Sequence, residues 1–230
     1  MRKVLLAVVA ALVLLVPAAP ASAKSRGRVL ATGDSMIQLV DSQLATRLKE
    51  RRYKLKSDAH VGTGLSKPFL LDWIRHARSE AKHYRPAVSV VFLGANDGFP
   101  LQYHGREVHC CSKRWIRAYA IRAHKMMVEL ERGGHSHVYW LTLPAARPGN
   151  WNHIYKAVNR AILIAQKGEP DVTVVDMGKV FTPKGRFQQT IVYKGQRVSV
   201  RQSDGIHLNV AGARIAAGVV FKQMRRDKVV

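Results

Sequence analysis

Short apolar runs rich in β-branched residues alternate along this chain with longer stretches whose apolar positions recur every three or four residues. The first pattern is that of strands, the second that of helices burying one face. Arg28–Thr32 (RVLAT) predicts a first strand, and Met36–Arg51 a helix with Ile37, Val40, Leu44 and Leu48 on one side. Tyr53–Ala59 predicts a less regular second strand, followed by a glycine-rich loop and a helix over Leu70–Tyr84. Ala87–Leu93 (AVSVVFL) is apolar on both faces apart from Ser89. That is the pattern of a central parallel strand covered by helices on both sides.

The alternation continues to the carboxyl end. A long loop over Asn96–Ser112 leads into a helix over Trp115–Arg132, which Gly133-Gly134 stops. His137–Leu143 (HVYWLTL), closed by Pro144, and Val172–Asp176 (VTVVD) predict strands four and five, with a helix over Asn152–Gln166 between them. Thr190–Arg201 predicts a peripheral hairpin turning at Lys194-Gly195, and Asn209–Arg226 a last helix. Alternating strands and helices imply an α/β fold: a five-stranded parallel sheet with right-handed crossovers. Functional groups then belong beyond the carboxyl ends of the strands.

The amino-terminal pattern is different in kind. Arg2 and Lys3 precede an unbroken apolar run from Val4 to Val16, and Ala21-Ser22-Ala23 offers a small-residue cleavage site. Residues 1–23 read as a secretory signal peptide, with an uncleaved membrane anchor as the alternative. The run falls short of the about 20 residues that span a bilayer, and no later stretch is a second candidate. Residues 24–230 read as one domain, secreted or held in the cell envelope outside the cytoplasm, with no linker, repeat or low-complexity tract.

Charge and cysteines change the picture only in part. Residues 1–23 carry two basic and no acidic residues, so the rest holds 36 Lys+Arg against 15 Asp+Glu, a net charge of +21. Such a field attracts polyanions. The basic residues are scattered, densest over Arg47–Lys56 and at Lys222, Arg225 and Arg226, with no nucleic-acid motif and no aromatic-basic pattern. Nucleic acid is not expected; an anionic cell-envelope polymer is, with a merely solvated basic surface as the alternative. Cys110 and Cys111 are adjacent. They could form a vicinal disulfide or pair between molecules in an oxidising compartment, and the reading adopted is a buried loop anchor. With His104 and His109 they suggest metal, but the spacing matches no zinc pattern, so no metal and no cofactor is expected.

Four elements carry candidate chemistry. Gly33-Asp34-Ser35 lies between the first strand and its helix, where free N–H groups favour developing negative charge, although Ser35 or Asp34 could simply cap the helix. Gly62-Thr63-Gly64 and Gly94-Ala95-Asn96-Asp97 follow strands two and three. They could supply backbone and amide donors to an oxyanion, or be ordinary turns. Asp204-Gly205-Ile206-His207 precedes the last helix. One turn there can set a carboxylate against one imidazole nitrogen and leave the other for a serine.

Together these residues resemble the SGNH (GDSL-type) hydrolase superfamily, whose four blocks supply Ser, Gly, Asn and His in that chain order. The first block reads TGDSM here rather than GDSL, with Ser after Gly-Asp as the pattern needs. The resemblance spans nearly all of residues 24–230 and implies the SGNH hydrolase fold, a flavodoxin-like three-layer α/β/α arrangement around the five-stranded parallel sheet. It implies Ser35 as nucleophile, His207 as general base and then acid, and Asp204 as the orienting carboxylate. The oxyanion hole it implies comprises the Ser35 and Gly64 N–H groups and the Asn96 side chain, with Gly62 as the alternative to Gly64. TGLSKP, FLGANDGFP, VYWLTLP and DGIHLN are similar to an exported bacterial branch whose related domains are associated with acyl groups of cell-envelope glycans. The implied activity is a serine esterase acting on an acylated glycan or small ester, above all O-acetyl. An O-acyltransferase sharing the acyl-enzyme and a non-catalytic envelope-binding module are the competing classes.

Overall fold

The computed structural model describes residues 25–230; the expected signal peptide lies outside them. Five strands form one parallel sheet: β1 (Gly27–Gly33), β2 (Tyr53–Ala59), β3 (Val88–Phe92), then, after two short strands given below, β6 (His137–Leu141) and β7 (Val172–Val175). Their order across the sheet is β2-β1-β3-β6-β7, which is 2-1-3-4-5 when only these five are counted. This is the flavodoxin-like order expected. The apolar run of β3 is buried at every position, in the middle of the sheet. β2 is an edge strand, which is why its sequence carries exposed Lys54 and Ser57.

The helices cover both faces. α1 (Val40–Lys49) packs against α6 (Val210–Arg226), while α2 (Trp73–His83), α3 (Lys113–Glu131) and α4 (Gly149–Ala165) pack in succession. Trp115, Trp140, Tyr119, Tyr139 and Phe92 are fully buried between these layers. Arg132, in the left-handed conformation, caps α3 just before Gly133-Gly134, the expected stop. Among the described residues no helix is long and apolar enough to cross a membrane.

Several boundaries differ from the sequence reading. The helix expected over Met36–Arg51 is two pieces, a 3₁₀ turn at Ser35–Ile37 and α1. Gln38 is extended (ψ 146°) and Leu39 has φ 65°, so the turn and α1 each bury their own apolar residues, Met36 and Ile37 in one, Val40, Leu44 and Leu48 in the other. The loop Asn96–Ser112 contains a small hairpin, β4 (Leu101–Tyr103) and β5 (Arg106–Val108). Asp176 caps a short helix, α5 (Met177–Phe181), instead of ending a strand. The expected hairpin is present as β8 (Thr190–Tyr193) and β9 (Gln196–Ser199), with Lys194-Gly195 at its turn.

Candidate active site

β1 is where the strand order reverses: β2 lies on one side of it and β3 on the other. A crevice opens beyond the carboxyl ends at such a point. The loops after β1, β2 and β3 meet there, and two buried aspartates bind them together. Asp34 Oδ1 accepts the Met36 N–H at 2.8 Å, and its Oδ2 accepts the Gly94 and Ala95 N–H groups, both at 2.9 Å. Burial pushes this carboxyl up to about 6, against the pull of the three backbone donors. Asp97 accepts from the Ser66 N–H at 2.6 Å, the Ser66 hydroxyl at 2.7 Å and the Tyr119 hydroxyl at 2.6 Å. Burial raises its carboxyl too, with Tyr119 and Ser66 opposing. Asp34 thus ties the first loop to the third, and Asp97 ties the third to the second.

This frame presents Ser35 and Asn96 to a cavity of about 610 Å³ lined also by Leu39, Val61, Gly62 and His207. Ser35 does not head a long helix as expected. It opens the 3₁₀ turn that Asp34 caps, so Asp34 and not Ser35 is the cap. The Asn96 amide donates to the Thr63 carbonyl at 3.1 Å, which fixes the side chain between the second and third loops. Gly62, not Gly64, lines the cavity. Gly64 is buried against Asp97, where a Cβ would stand 2.6 Å from Oδ1. Gly64, expected as the oxyanion donor, is glycine where the Asp97 carboxylate comes in close, and Gly62, its alternative, is the one that borders the cavity. Among the described residues none of the Ser35, Gly62 and Gly64 N–H groups has an acceptor.

The fourth loop closes the set. His207 Nε2 lies 2.8 Å from Ser35 Oγ, and His207 Nδ1 lies 2.6 Å from Asp204 Oδ2. Asp204 Oδ1 accepts the Ile206 and His207 N–H groups at 2.8 and 3.1 Å. Desolvation would raise the Asp204 carboxyl, but the His207 ring and these two N–H groups outweigh it and hold it below its ordinary range. Asp204 is thus ionised at neutral pH and fixes the ring so that Nε2 faces the serine. Gly205, at φ 71°, makes the tight turn between the two residues.

Arg201 was not singled out by the sequence, yet it holds this loop in place. Its buried guanidinium donates to the Ile206 carbonyl at 2.6 Å and to the Ala145 carbonyl at 3.0 Å, and it lies over the Phe187 ring at 5.7 Å. The expected hairpin next to it stands outside the five-stranded sheet, and the chain just past its second strand carries the anchor of the histidine loop. Replacing Arg201 with methionine leaves two buried carbonyls unpaired, an expected loss of about 2–4 kcal/mol of stability. A urea unfolding curve measures that loss. Turnover should fall with KM little changed, because the imidazole drifts while the cavity stays.

Cys110 and Cys111 are joined as a vicinal disulfide and half-buried between β5 and α3, away from the cavity lining. His104 and His109 form no ligand set with them. Among the described residues the one group whose ligand atoms converge is Asp58, His60 and His76.

A family model described as "Protein of unknown function (DUF459)" matches residues 28–223. No curated protein matches the chain. Among solved structures, the C-terminal catalytic domain of Streptococcus pneumoniae peptidoglycan O-acetyltransferase A is similar at 17% identity, TM-score 0.55, over 89% of this chain and 96% of that one. A carbohydrate esterase family 3 structure from Talaromyces cellulolyticus is similar at 16% identity, TM-score 0.59, over 88% and 99%. An acetyl esterase with acetate ion is similar at 14% identity, TM-score 0.61, over 86% and 96%. At these identities the likeness establishes a shared fold.

Proposed function

From the premise that this chain belongs to the DUF459 family, within the SGNH hydrolase superfamily, we propose that it is a serine-dependent acyl-transfer enzyme hydrolysing short acyl esters, O-acetyl above all. The observation that carries this reading is the chain of contacts from Asp204 through His207 to Ser35, at 2.6 and 2.8 Å, opening on one cavity. Ser35 Oγ attacks the ester carbonyl as its proton passes to His207 Nε2. Asp204 balances the imidazolium charge without taking the proton. The carbonyl oxygen, now anionic, is met by the Ser35 and Gly64 N–H groups and the Asn96 amide, with Gly62 as the alternative to Gly64. The C–O bond breaks, the leaving alcohol takes the proton from Nε2, and the acyl group stays on Ser35. Water, deprotonated by the same nitrogen, then releases the acid and regenerates the serine.

The substrate class rests on chemistry shared with proteins of the same fold. The solved structures of similar fold include a peptidoglycan O-acetyltransferase, a carbohydrate esterase and an acetyl esterase, which supports an acetylated cell-envelope glycan. The net charge of +21 outside residues 1–23 supports docking on an anionic envelope polymer. A groove of about 740 Å³ between α2 and α3, lined by Arg75, Arg122 and Lys125 as well as Asp72 and Glu129, is where such docking would be sought first. Residues 1–23 are the export signal in this reading, and residues 24–230 the single catalytic domain.

One alternative shares every step up to the acyl-enzyme: a sugar hydroxyl in place of water makes the protein an O-acyltransferase, as the pneumococcal domain is named. A chromogenic acetyl ester, turned over with and without a glycan acceptor, separates the two. A hydrolase releases acetate at the same rate in both arms, whereas a transferase moves acetyl to the sugar at the expense of free acetate. A protein that cleaves no acetyl ester in either arm is a binding module, and the proposal fails.

A further inference from the structure

A second cluster of chemistry-bearing side chains lies at the end of the edge strand, and the acyl-transfer reaction uses none of it. Asp58 stands near the carboxyl end of β2, His60 two residues on, and His76 in the first turn of α2. Asp58 Oδ1 meets His60 Nε2 at 3.0 Å, and Oδ2 meets His76 Nε2 at 2.9 Å. One ligand atom from each residue lies within 4.8 Å of the others. The imidazoles stand edge to face, 4.7 Å apart, so both present the same nitrogen to one carboxylate.

We propose that Asp58, His60 and His76 form a binding site for a divalent transition metal ion of the zinc class. Two imidazole nitrogens and one carboxylate oxygen are the mixed donor set such borderline ions take. Ligands about 2.1 Å from a tetrahedral ion stand about 3.4 Å apart, so the side chains move little to accept one. The two Nε2–H···O contacts give way to Nε2–metal bonds. Each ligating imidazole is neutral and carries its proton on Nδ1, which has no hydrogen-bond partner among the described residues; a second proton held by either ring before binding is released to solvent. Thr32 donates to Asp58 Oδ2 at 2.6 Å, the outer contact that orients a ligating carboxylate. Trp73 stands edge-on to both rings, 5.5 Å from His60 and 5.6 Å from His76, and forms an apolar wall. The His60 side chain is 37% exposed, which leaves an open side for water to complete the shell. An ion here would clip β2 to α2 and fix the start of the loop that carries Gly62.

The test is calorimetric titration of Zn²⁺ into the chelator-treated full chain, with Co²⁺ as an optical probe. The expected result is one Zn²⁺ per chain at micromolar affinity or tighter. Co²⁺ should bring visible absorption and quench the fluorescence of neighbouring Trp73. His60→Ala and His76→Ala should each weaken binding by at least about tenfold, while His153→Ala, on α4, leaves it unchanged. Should His76→Ala unfold, the partly exposed His60→Gln carries the test alone, with circular dichroism to establish that it is folded. A wild-type chain that takes up no Zn²⁺, or folded His60 and His76 variants that titrate like wild type, would overturn the proposal and leave the three residues as a hydrogen-bonded clamp.

Discussion

Replacing Ser35 with alanine should lower turnover of an acetyl ester by at least about a thousandfold, leaving only what binding and the oxyanion donors supply. The loss is this large because the substitution removes the group that forms the covalent intermediate, not one that merely steadies it. His207→Ala should cost about as much, since without Nε2 the hydroxyl has no proton acceptor at 2.8 Å. The two losses should not add. Once either residue is gone the relay no longer exists, so the double variant should sit within a few-fold of each single one. Steady-state kinetics on the three variants, with unfolding curves to establish equal stability, measure this. A Ser35→Ala protein retaining more than roughly a tenth of wild-type turnover would remove Ser35 from the mechanism.

The second large effect belongs to Asn96. Its amide donates to the Thr63 carbonyl and also faces the cavity, so in the proposed mechanism one side chain both braces two loops and meets the developing oxyanion. Asn96→Ala should lower kcat by roughly a hundredfold or more, with KM nearly unchanged, because an oxyanion donor acts mainly in the transition state. The lost Thr63 contact should cost about 1 kcal/mol of stability, far less than the activity change. Asn96→Asp keeps the shape and puts a negative charge where one develops, so it should be at least as impaired as alanine. Raised KM with unchanged kcat would instead make Asn96 a binding residue only.

Much of this was legible in the order of residues. Strand three announced itself because burial on both faces leaves no polar alternation, and the parallel sheet followed from strands alternating with helices. Ser35, Asn96, Asp204 and His207 stood out because each sits in a short block at a strand end or before a helix. Other features left no local trace. The break at Gln38–Leu39 is invisible to apolar spacing, which runs on unbroken from Ile37 through Val40 to Leu44. The three-residue strands β4 and β5 are too short to alternate. Gly62 and Gly64 read alike as turn glycines, and only the placement of Asp97 distinguishes them. The roles of Asp34 and Asp97 were hidden for a related reason: an aspartate beside a turn is ordinarily exposed, and these two are buried against N–H groups of neighbouring loops. A search for short acceptors facing the turns of adjacent strands would have been the signal. Asp58, His60 and His76 meet only because α2 packs back on the edge strand.

The two buried aspartates have a consequence for how such an enzyme can be redesigned. Through Asp34 and Asp97 the first three loops share acceptors and donors, so none can be lengthened, shortened or transplanted without orphaning a buried carboxylate or its partners in another. They behave as a single cassette. Altered substrate preference must therefore be sought among residues that border the cavity without belonging to the weave: Gln38, Leu39 and Val61 on one rim, Gln202 on the other. A library confined to those four positions explores specificity while leaving the frame intact, whereas one spread evenly over the loops would also strike the partners of Asp34 and Asp97.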